Sequence, residues 1–268
     1  MAQIEIKNLK KVYKTAEKEE GFMGNLKSFI HPTYTIKKAV NGISFSIEEG
    51  ESVAFLGANG AGKSTTIKML TGIMKPSGGT VYIRGRDPFQ NRMENARQIG
   101  VVFGQKTQLW WDIPVIETFR LLKSIYEIPD ETYEKNMGQF KEILGLDEFL
   151  HQPARKLSLG QRVRADMAAA LLHEPPILFL DEPTIGLDVA VKQSIYQFLK
   201  HINQEKHTTI ILTSHDLNDL ESLCKRLIIL EKGEILFDDS MEKIFDQYPK
   251  GMTLEEIVIQ LFNRRKCG

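Results

Sequence analysis

This chain of 268 residues has few cysteines, no membrane-length apolar run and no excess charge of either sign. Its two cysteines, Cys224 and Cys267, supply neither a metal-ligand spacing nor a disulfide framework, so a reducing compartment is expected. The longest apolar run, residues 167–172, is far shorter than the roughly 20 residues of a membrane span. Residues 4–6 alternate like a strand and lack the apolar core of a signal peptide. The chain is therefore not expected to cross a membrane by itself.

Charge and composition narrow the class further. Lysine plus arginine number 35 and aspartate plus glutamate number 35, which gives a net charge of zero. Nucleic-acid-binding domains usually carry a basic excess, so no nucleic-acid partner is expected. The 42% hydrophobic and 26% charged residues are ordinary for a globular chain, whose length fits one large domain or two small ones.

A glycine-rich loop at residues 57–66 organises the sequence. It follows an apolar run at 52–56 that is typical of a buried strand, and it leads into a helix-compatible stretch. This context gives meaning to the G-x-x-x-x-G-K-S pattern, in which successive backbone N–H groups and a helix start surround a phosphate. Lys63 can reach the β- and γ-phosphates and Ser64 can bind Mg²⁺. The alternative is a glycine turn that binds nothing. The predicted nucleotide contacts are Gly57, Asn59, Gly60, Ala61, Gly62, Lys63, Ser64 and Thr65.

Two carboxylates follow a second buried strand. Residues 177–180 form a continuous apolar run, as expected for a parallel strand buried on both faces, and Asp181 and Glu182 come next. The carboxyl end of such a strand is where α/β folds bind ligands. Asp181 suits a Mg²⁺ site and Glu182 suits a general base, whereas the alternative is a pair of solvated loop acids.

A third segment combines a helix cap with a glycine. Ser158 and Gln161 match the capping box S-x-x-Q before an alanine-rich helix at 162–172. Capping does not explain Gly160, which costs helix stability but allows close backbone approach. The N–H groups at this helix start suit a γ-phosphate.

Several further residues have two readings each. Tyr13 is either an adenine-stacking ring or a strand-edge tyrosine, and His215 is either a γ-phosphate donor or a structural histidine. An apolar stripe in the segment 15–38 either packs on the domain or docks on a partner or lipid surface; it consists of Phe22, Leu26, Phe29 and Ile30. The adjacent Trp110 and Trp111 cannot face the same way, so at least one is expected at the surface unless both pack in the core.

Six motifs together resemble the ATP-binding subunits of ABC transporters. Residues 57–65 resemble Walker A, Gln105 the Q-loop glutamine, 157–161 the signature, 177–182 Walker B with its catalytic glutamate, 186–188 the D-loop and His215 the switch histidine. The likeness is greatest to stand-alone subunits of bacterial drug, sodium and polysaccharide exporters.

This resemblance implies an α/β fold: a P-loop NTPase (RecA-like) core with an N-terminal antiparallel β subdomain and an inserted α-helical subdomain. It implies one ABC ATPase domain over 1–268, divided into core (1–104 and 173–238), helical subdomain (105–172) and C-terminal helical tail (239–268).

The resemblance also implies an ATP hydrolase that uses ATP and Mg²⁺ and powers transport, with export favoured. Catalysis would involve Glu182, His215, Gln105 and Lys63, and Mg²⁺ would be bound by Ser64, Gln105 and Asp181. Tyr13 would stack on adenine. The remaining nucleotide contacts implied are Ser158, Gly160, Gln161 and Asp188.

The implied partners are a second nucleotide-binding subunit, paired head to tail and favoured as a homodimer, and a separate membrane permease. The chain would sit peripherally on the cytoplasmic face of the membrane. Two rival classes stay open: a soluble ABC-type ATPase of translation or DNA repair, and a P-loop kinase or GTPase. The sequence departs from the family at Leu159, where glycine is usual, and in the insertion 15–38.

Overall fold

A computed structural model describes residues 2–16, 34–104, 106–214 and 216–266. Gln105, His215, Cys267 and the apolar stripe of residues 22–30 lie outside the described residues. The strands are β1 (Ala2–Ala16), β2 (Tyr34–Glu48), β3 (Ser52–Leu56), β4 (Gly78–Ile83), β5 (Ile99–Phe103), β6 (Ile177–Asp181), β7 (Thr209–Thr213), β8 (Arg226–Glu231) and β9 (Glu234–Ser240). The helices are α1 (Lys63–Leu70), α2 (Arg92–Gln98), α3 (Val115–Ile125), α4 (Asp130–Leu144), α5 (Leu159–Leu171), α6 (Val189–Lys206), α7 (Leu217–Leu223), α8 (Met241–Asp246) and α9 (Leu254–Lys266), with 3₁₀ turns at Leu146–Glu148 and Ala154–Lys156.

A six-stranded sheet in the order β5-β6-β7-β3-β8-β9 forms the centre of the described chain. Its neighbouring strands are parallel except for β9, which pairs antiparallel with β8. Strands β3 and β7 are buried at every residue, which explains why residues 53–56 and 210–212 within them are all apolar. The parallel order brings the carboxyl ends of β3, β6 and β7 to the same edge, where ligands bind in such folds.

A smaller antiparallel sheet in the order β2-β1-β4 covers one face of the large sheet. The strand pattern noted at residues 4–6 covers only a small part of β1, which continues to Ala16 and pairs with β2 throughout. The inner half of β1 is marked by buried residues such as Ile4 and Ile6, whereas the outer half lacks that alternation. The outer half of β1 is formed by backbone hydrogen bonding to β2, which cannot be recognised from a pattern of side chains.

The residues of β3 alternate between two apolar clusters. Val53 and Phe55 pack in the cluster beneath the small sheet, whereas Ala54 and Leu56 pack in the cluster shared with helices α3 to α6. Within the second cluster the ring of Phe140 on α4 meets that of Phe198 on α6 edge-on, with centroids 5.7 Å apart. The described chain is thus a mixed α/β structure with helices grouped between β5 and β6. None of its described helices combines the length and apolar content needed to cross a membrane.

Candidate nucleotide-binding site

The glycine-rich loop joins β3 to α1 and leaves the start of that helix open to an anion. Gly62 caps α1 in a left-handed conformation, with φ 110° and ψ −1°. A Cβ atom at this position would lie 2.6 Å from the carbonyl oxygen of Ala39, so only glycine fits. No side chain caps the helix and its first turn holds no acidic residue. The N–H groups of this turn are therefore suited to phosphate.

The Lys63 side chain lies over the loop. It is 6% exposed, and its Nζ donates to the carbonyl oxygens of Gly57 at 2.6 Å and Ala58 at 3.4 Å. Burial lowers the pKa of Lys63, while the nearby charges of Glu182 and Asp181 oppose that shift. The result is a cation held between the loop and the two carboxylates that follow β6, where it can meet a negatively charged ligand.

Asp181 lies at the junction of three strands. Its Oδ1 accepts hydrogen bonds from Ser64 Oγ at 3.2 Å and from Thr213 Oγ1 at 2.7 Å. A carboxylate and a hydroxyl at one point match the oxygen ligands of Mg²⁺, which usually completes its shell with water and substrate phosphates. The donor set of Ser64 and Asp181 thus fits Mg²⁺, and the binding of Mg²⁺ by these two residues stays a prediction.

Glu182 adopts an unusual backbone conformation beside this point. Its φ of 55° is left-handed, and its N–H donates to both the carbonyl (3.1 Å) and the Oγ1 (3.0 Å) of Thr213. Such strain in a non-glycine residue often marks a functional position. The carbonyl of Glu182 also explains Gly104, since a Cβ there would lie 2.0 Å from that oxygen. Glu182 borders a cavity of about 310 Å³, which is also lined by Ser64, Lys68, Ile73, Phe103, Gly104, Lys106 and Asp181.

The other predicted loop contacts differ in exposure. Asn59 and Gly60 are exposed, Ala61 is buried, and Thr65 is half-buried on α1. An added Cβ at Gly60, whose φ is 82°, would meet no atom of the described chain within 4 Å, so the outer surface of the loop is open to a ligand.

The predicted capping box at Ser158 is confirmed. Ser158 Oγ accepts from the N–H of Gln161 at 3.2 Å, and Gln161 Oε1 accepts from the N–H of Ser158 at 3.0 Å. Helix α5 consequently begins at Leu159, three residues before the predicted start at Arg162. The start of α5 is set by the cap at Ser158, whereas the alanine-rich pattern alone indicated only the later part of the helix.

The signature segment neighbours the 186–188 loop rather than the glycine loop. A Cβ on Gly186 would lie 3.1 Å from Leu159 Cδ2, and one on Gly160 would meet nothing closer than Val191 at 3.6 Å. Asp188 is exposed and caps α6 by accepting from the N–H of Val191 at 2.9 Å. Within the described chain, therefore, no close neighbour requires glycine at 160. The close approach that the sequence predicted at Gly160 is not made by the described residues and stays a prediction.

Tyr13 lies on the hairpin that approaches the glycine loop. It pairs with Lys37 of β2, the strand whose Ala39 carbonyl faces Gly62. Its hydroxyl donates to Met74 Sδ at 3.2 Å, and Lys11 Nζ is 5.5 Å from its ring centroid. The ring is half-buried on this hairpin. Adenine stacking by Tyr13 stays a prediction.

The two adjacent tryptophans are both exposed, Trp110 by 44% and Trp111 by 48%. The expectation that at least one lies at the surface is confirmed, and the alternative that both pack in the core is excluded. Arg162 of α5 lies 4.8 Å above the ring of Trp111, and the N–H of Trp110 donates to Thr118 Oγ1 of α3 at 3.3 Å. The pair is thus anchored to the helical part of the chain.

Two residues of the site escaped the sequence reasoning. Thr213 orients Asp181, but a threonine at the end of a strand carries no signal of its own. Asp166 lies within the predicted helix, accepts from residues near Gln105 and is 5% exposed. The presence of a carboxylate within an alanine-rich apolar stretch is the sequence signal that could have identified Asp166.

Comparison with known proteins adds family relationships. The family model described as ABC transporter matches residues 40–185. The ABC transporter ATP-binding protein NatA of Bacillus subtilis (strain 168) is 29% identical over 211 residues, which are 79% of this chain and 85% of that protein. The linearmycin resistance ATP-binding protein LnrL of the same strain is 34% identical over 207 residues, 77% of this chain and 66% of that protein.

A solved structure shares the fold. It is the dimeric structure of a post-hydrolysis state of the ATP-binding cassette MJ0796 bound to ADP and Pi. It aligns with a TM-score of 0.73 at 28% identity and covers 89% of this chain and 98% of that one. The likeness therefore extends well beyond the glycine loop.

Proposed function

The chain belongs to the ABC transporter family as an ATP-binding subunit that hydrolyses ATP to power transport, and on this premise we propose that two copies act together on a separate membrane permease. The assignment of ATP hydrolysis to this site rests on the convergence of Ser64, Asp181 and Glu182 on one cavity beside the glycine loop. The proposed division of the chain stays that of core (1–104 and 173–238), helical subdomain (105–172) and tail (239–268).

Each side chain of the site has a proposed task. Lys63 and the N–H groups of α1 bind the β- and γ-phosphates of ATP, and Tyr13 stacks on adenine. Ser64 and Asp181, with Gln105, hold Mg²⁺, which neutralises charge on the phosphates when bound. Glu182 orients and deprotonates the attacking water, and His215 donates to the γ-phosphate. Electrostatic stabilisation of the transferred group is the main contribution in this chemistry.

A second copy of the chain supplies the signature to each site. Leu159 lies against Gly186 and Gly160 lies near Val191, so this segment has its close neighbours in residues 186–191 of its own chain. Exposed apolar side chains flank them: Leu159 is 42%, Ile185 47% and Val189 72% exposed. Such side chains favour burial on association. A head-to-tail pair, in which the same surface serves both copies, covers them and places Ser158, Gly160, Gln161 and Asp188 on the partner's ATP.

The permease is proposed to dock beside Gln105. Trp110 and Trp111 present two large exposed rings there, and tryptophan is a favoured anchor in protein interfaces. The subunit would accordingly sit peripherally on the cytoplasmic face of the membrane. Export is the proposed direction, which the description of LnrL as a resistance protein supports.

Mixing two inactive variants tests the shared site. Lys63→Ala removes the phosphate-binding cation and Gly160→Asp disrupts the signature. A mixed head-to-tail pair retains one intact site, so mixing should restore roughly a quarter of wild-type ATP hydrolysis if the sites act independently. The measurement is phosphate release by each variant alone and by the mixture.

Gly160→Ala is the matched control. Its Cβ would sit in ordinary contact with Val191 at 3.6 Å, so the variant should fold and melt like the wild type. Both inactive variants must melt near the wild-type temperature for the assay to be valid. If the mixture released no more phosphate than the sum of its components, the shared site would be wrong.

A further inference from the structure

Asp166 is a buried carboxylate that accepts hydrogen bonds from residues 107 and 108, which follow Gln105 closely in the sequence. Its side chain lies on α5 and is 5% exposed. One oxygen, Oδ1, accepts from Thr107 Oγ1 and from the backbone N–H of Gln108, each at 2.9 Å. The Gln108 side chain returns a bond of 2.9 Å to the Asp166 carbonyl, and Thr107 Oγ1 accepts from the N–H of Leu109 at 3.1 Å.

This arrangement has an energetic cost. Burial raises the pKa of Asp166 to about 6, although the hydrogen bonds from Gln108 and Thr107 and the charge of Arg162 act in the opposite direction. Alanine occupies the neighbouring positions 165 and 168–170 of the same helix, and alanine at 166 would avoid the cost. The carboxylate is explained by the backbone and hydroxyl groups that it holds rather than by helix packing.

The location of these bonds is specific. On one side of Gln105, the N–H of Gly104 donates to the Asp181 carbonyl at 2.9 Å, which fixes it to the large sheet. On the other side, Thr107 is the first residue held by the side chain of a helix, through Asp166. Lys106 is still bonded to β5, because its N–H donates to the carbonyl of Phe103 at 2.8 Å, so the change from sheet contacts to helix contacts falls between Lys106 and Thr107.

The bonded segment continues into the tryptophan pair. Arg162, one turn before Asp166 on α5, stacks on Trp111, and the N–H of Arg155 donates to the Trp111 carbonyl at 3.0 Å. Ser158 begins the same helix. Residues 107–111 and the start of α5 are therefore parts of one packed unit, with Asp166 at its buried centre.

We propose that Asp166 is a positioning residue that fixes residues 107–109 to α5, so that Ser158 and the tryptophan pair move as one unit. This inference rests on the proposed function, because it concerns how the two copies assemble their shared site. Without the carboxylate, ATP still binds to the glycine loop, but the signature at Ser158 and residues 107–111 no longer move together. Turnover, rather than nucleotide affinity, should suffer.

The two tryptophans of the chain provide a direct probe, since both lie in this segment. Asp166→Ala removes the acceptor, Asp166→Asn keeps an acceptor oxygen without the charge, and Thr107→Val removes one donor. Asn136→Ala is the matched control, because Asn136 is a buried polar residue that donates to the carbonyl of Leu172, just beyond the far end of α5, at 3.1 Å. The readouts are kcat and KM for ATP with Mg²⁺, and acrylamide quenching of tryptophan emission with and without ATP.

Asp166→Ala should lower kcat roughly tenfold while KM changes by less than about twofold. Its tryptophans should become more accessible to acrylamide, and ATP should no longer change their emission. Asp166→Asn should restore both readouts, Thr107→Val should show a smaller effect in the same direction, and Asn136→Ala should lower only the melting temperature.

Unchanged kcat and unchanged quenching in Asp166→Ala would overturn the inference, and so would equal kcat losses in Asn136→Ala and Asp166→Ala. If Asp166→Ala failed to fold, Thr107→Val would decide by the same criteria. A wild-type chain that hydrolysed no ATP would instead overturn the proposed function, which keeps the two failures distinct.

Discussion

The hydroxyl of Thr213 lies 2.7 Å from the same oxygen of Asp181 that the Ser64 hydroxyl approaches at 3.2 Å. Thr213 ends β7, Asp181 ends β6 and Ser64 lies in the first turn of the helix after β3. Residues that follow or end three neighbouring strands therefore contact one carboxylate oxygen. Thr213 also accepts from the N–H of Glu182. This single hydroxyl therefore orients the carboxylate of Asp181 and holds the backbone of Glu182.

We expect Thr213→Val to impair hydrolysis through this loss of orientation. Valine has nearly the same shape but removes the bonds to Asp181 and Glu182, which should destabilise the fold by about 1–3 kcal/mol and lower the affinity for Mg²⁺. The measurement is ATP hydrolysis as a function of Mg²⁺ concentration, together with urea unfolding. Thr209→Val is the matched control, since Thr209 is equally buried at the opposite end of β7, where its hydroxyl accepts from Gly50. An equal effect of the two substitutions on Mg²⁺ dependence would contradict the role of Thr213.

The exposed tryptophans lead to a prediction about the membrane partner. Trp110→Ala or Trp111→Ala should leave ATP binding by the isolated subunit intact, because neither ring belongs to the glycine loop. Truncating an interface anchor commonly costs about 2 kcal/mol or more, which is roughly a thirtyfold loss of affinity. Co-purification with the transporter's membrane subunit should weaken, and transport-coupled hydrolysis should fall with it. Ile259→Ala, which removes a 52% exposed side chain on α9, serves as the control. If both tryptophan variants had a lowered melting temperature and still bound the partner fully, the docking role would be wrong and the two rings would serve the stability of the fold.

Asp166 should make stability depend on pH. Its pKa of about 6 in the folded protein exceeds the ordinary aspartate value of 3.8, so between these values the folded state keeps a proton that the unfolded chain has lost. The contribution of this group to stability therefore falls as pH rises from about 4 to about 6, and the loss is complete above that range. Asp166→Asn should remove this loss and raise the free energy of unfolding near pH 7.5 by up to about 3 kcal/mol, with little difference near pH 4.

Urea unfolding of both proteins at several pH values between about 4 and 8 checks this expectation. A difference in stability between Asp166→Asn and the wild type that did not vary with pH would contradict it.

The sequence was most informative where burial or geometry constrains one segment by itself. The strands at 52–56 and 177–180 were predicted to within a residue because each is a buried apolar run. The glycine loop was recognisable because its conformation requires glycine. The polar helix α2 was missed because it shows no apolar face. Its contact with α1 is made by the buried Asn95, which donates to the Leu70 carbonyl at 3.5 Å.

Hydrogen bonds between residues far apart in the chain could not be predicted from the sequence. Thr213 and Asp181 are 32 positions apart, and Asp166 and Thr107 are 59 apart, so only the order of the strands and the packing of α5 bring them together. The roles of Gln105 and His215 and the apolar stripe of residues 22–30 stay predictions from the sequence.

The central claim is that Glu182 is the general base for ATP hydrolysis at this site. The most direct test compares phosphate release and nucleotide binding by the wild type and Glu182→Gln, a change that keeps the shape of the side chain. Loss of one positioned acid–base group lowers turnover by roughly 10²–10⁴. We therefore predict that Glu182→Gln binds ATP with wild-type affinity, forms an ATP-dependent dimer and releases phosphate at least about a hundredfold more slowly. Hydrolysis by this variant at a rate near that of the wild type would contradict the account.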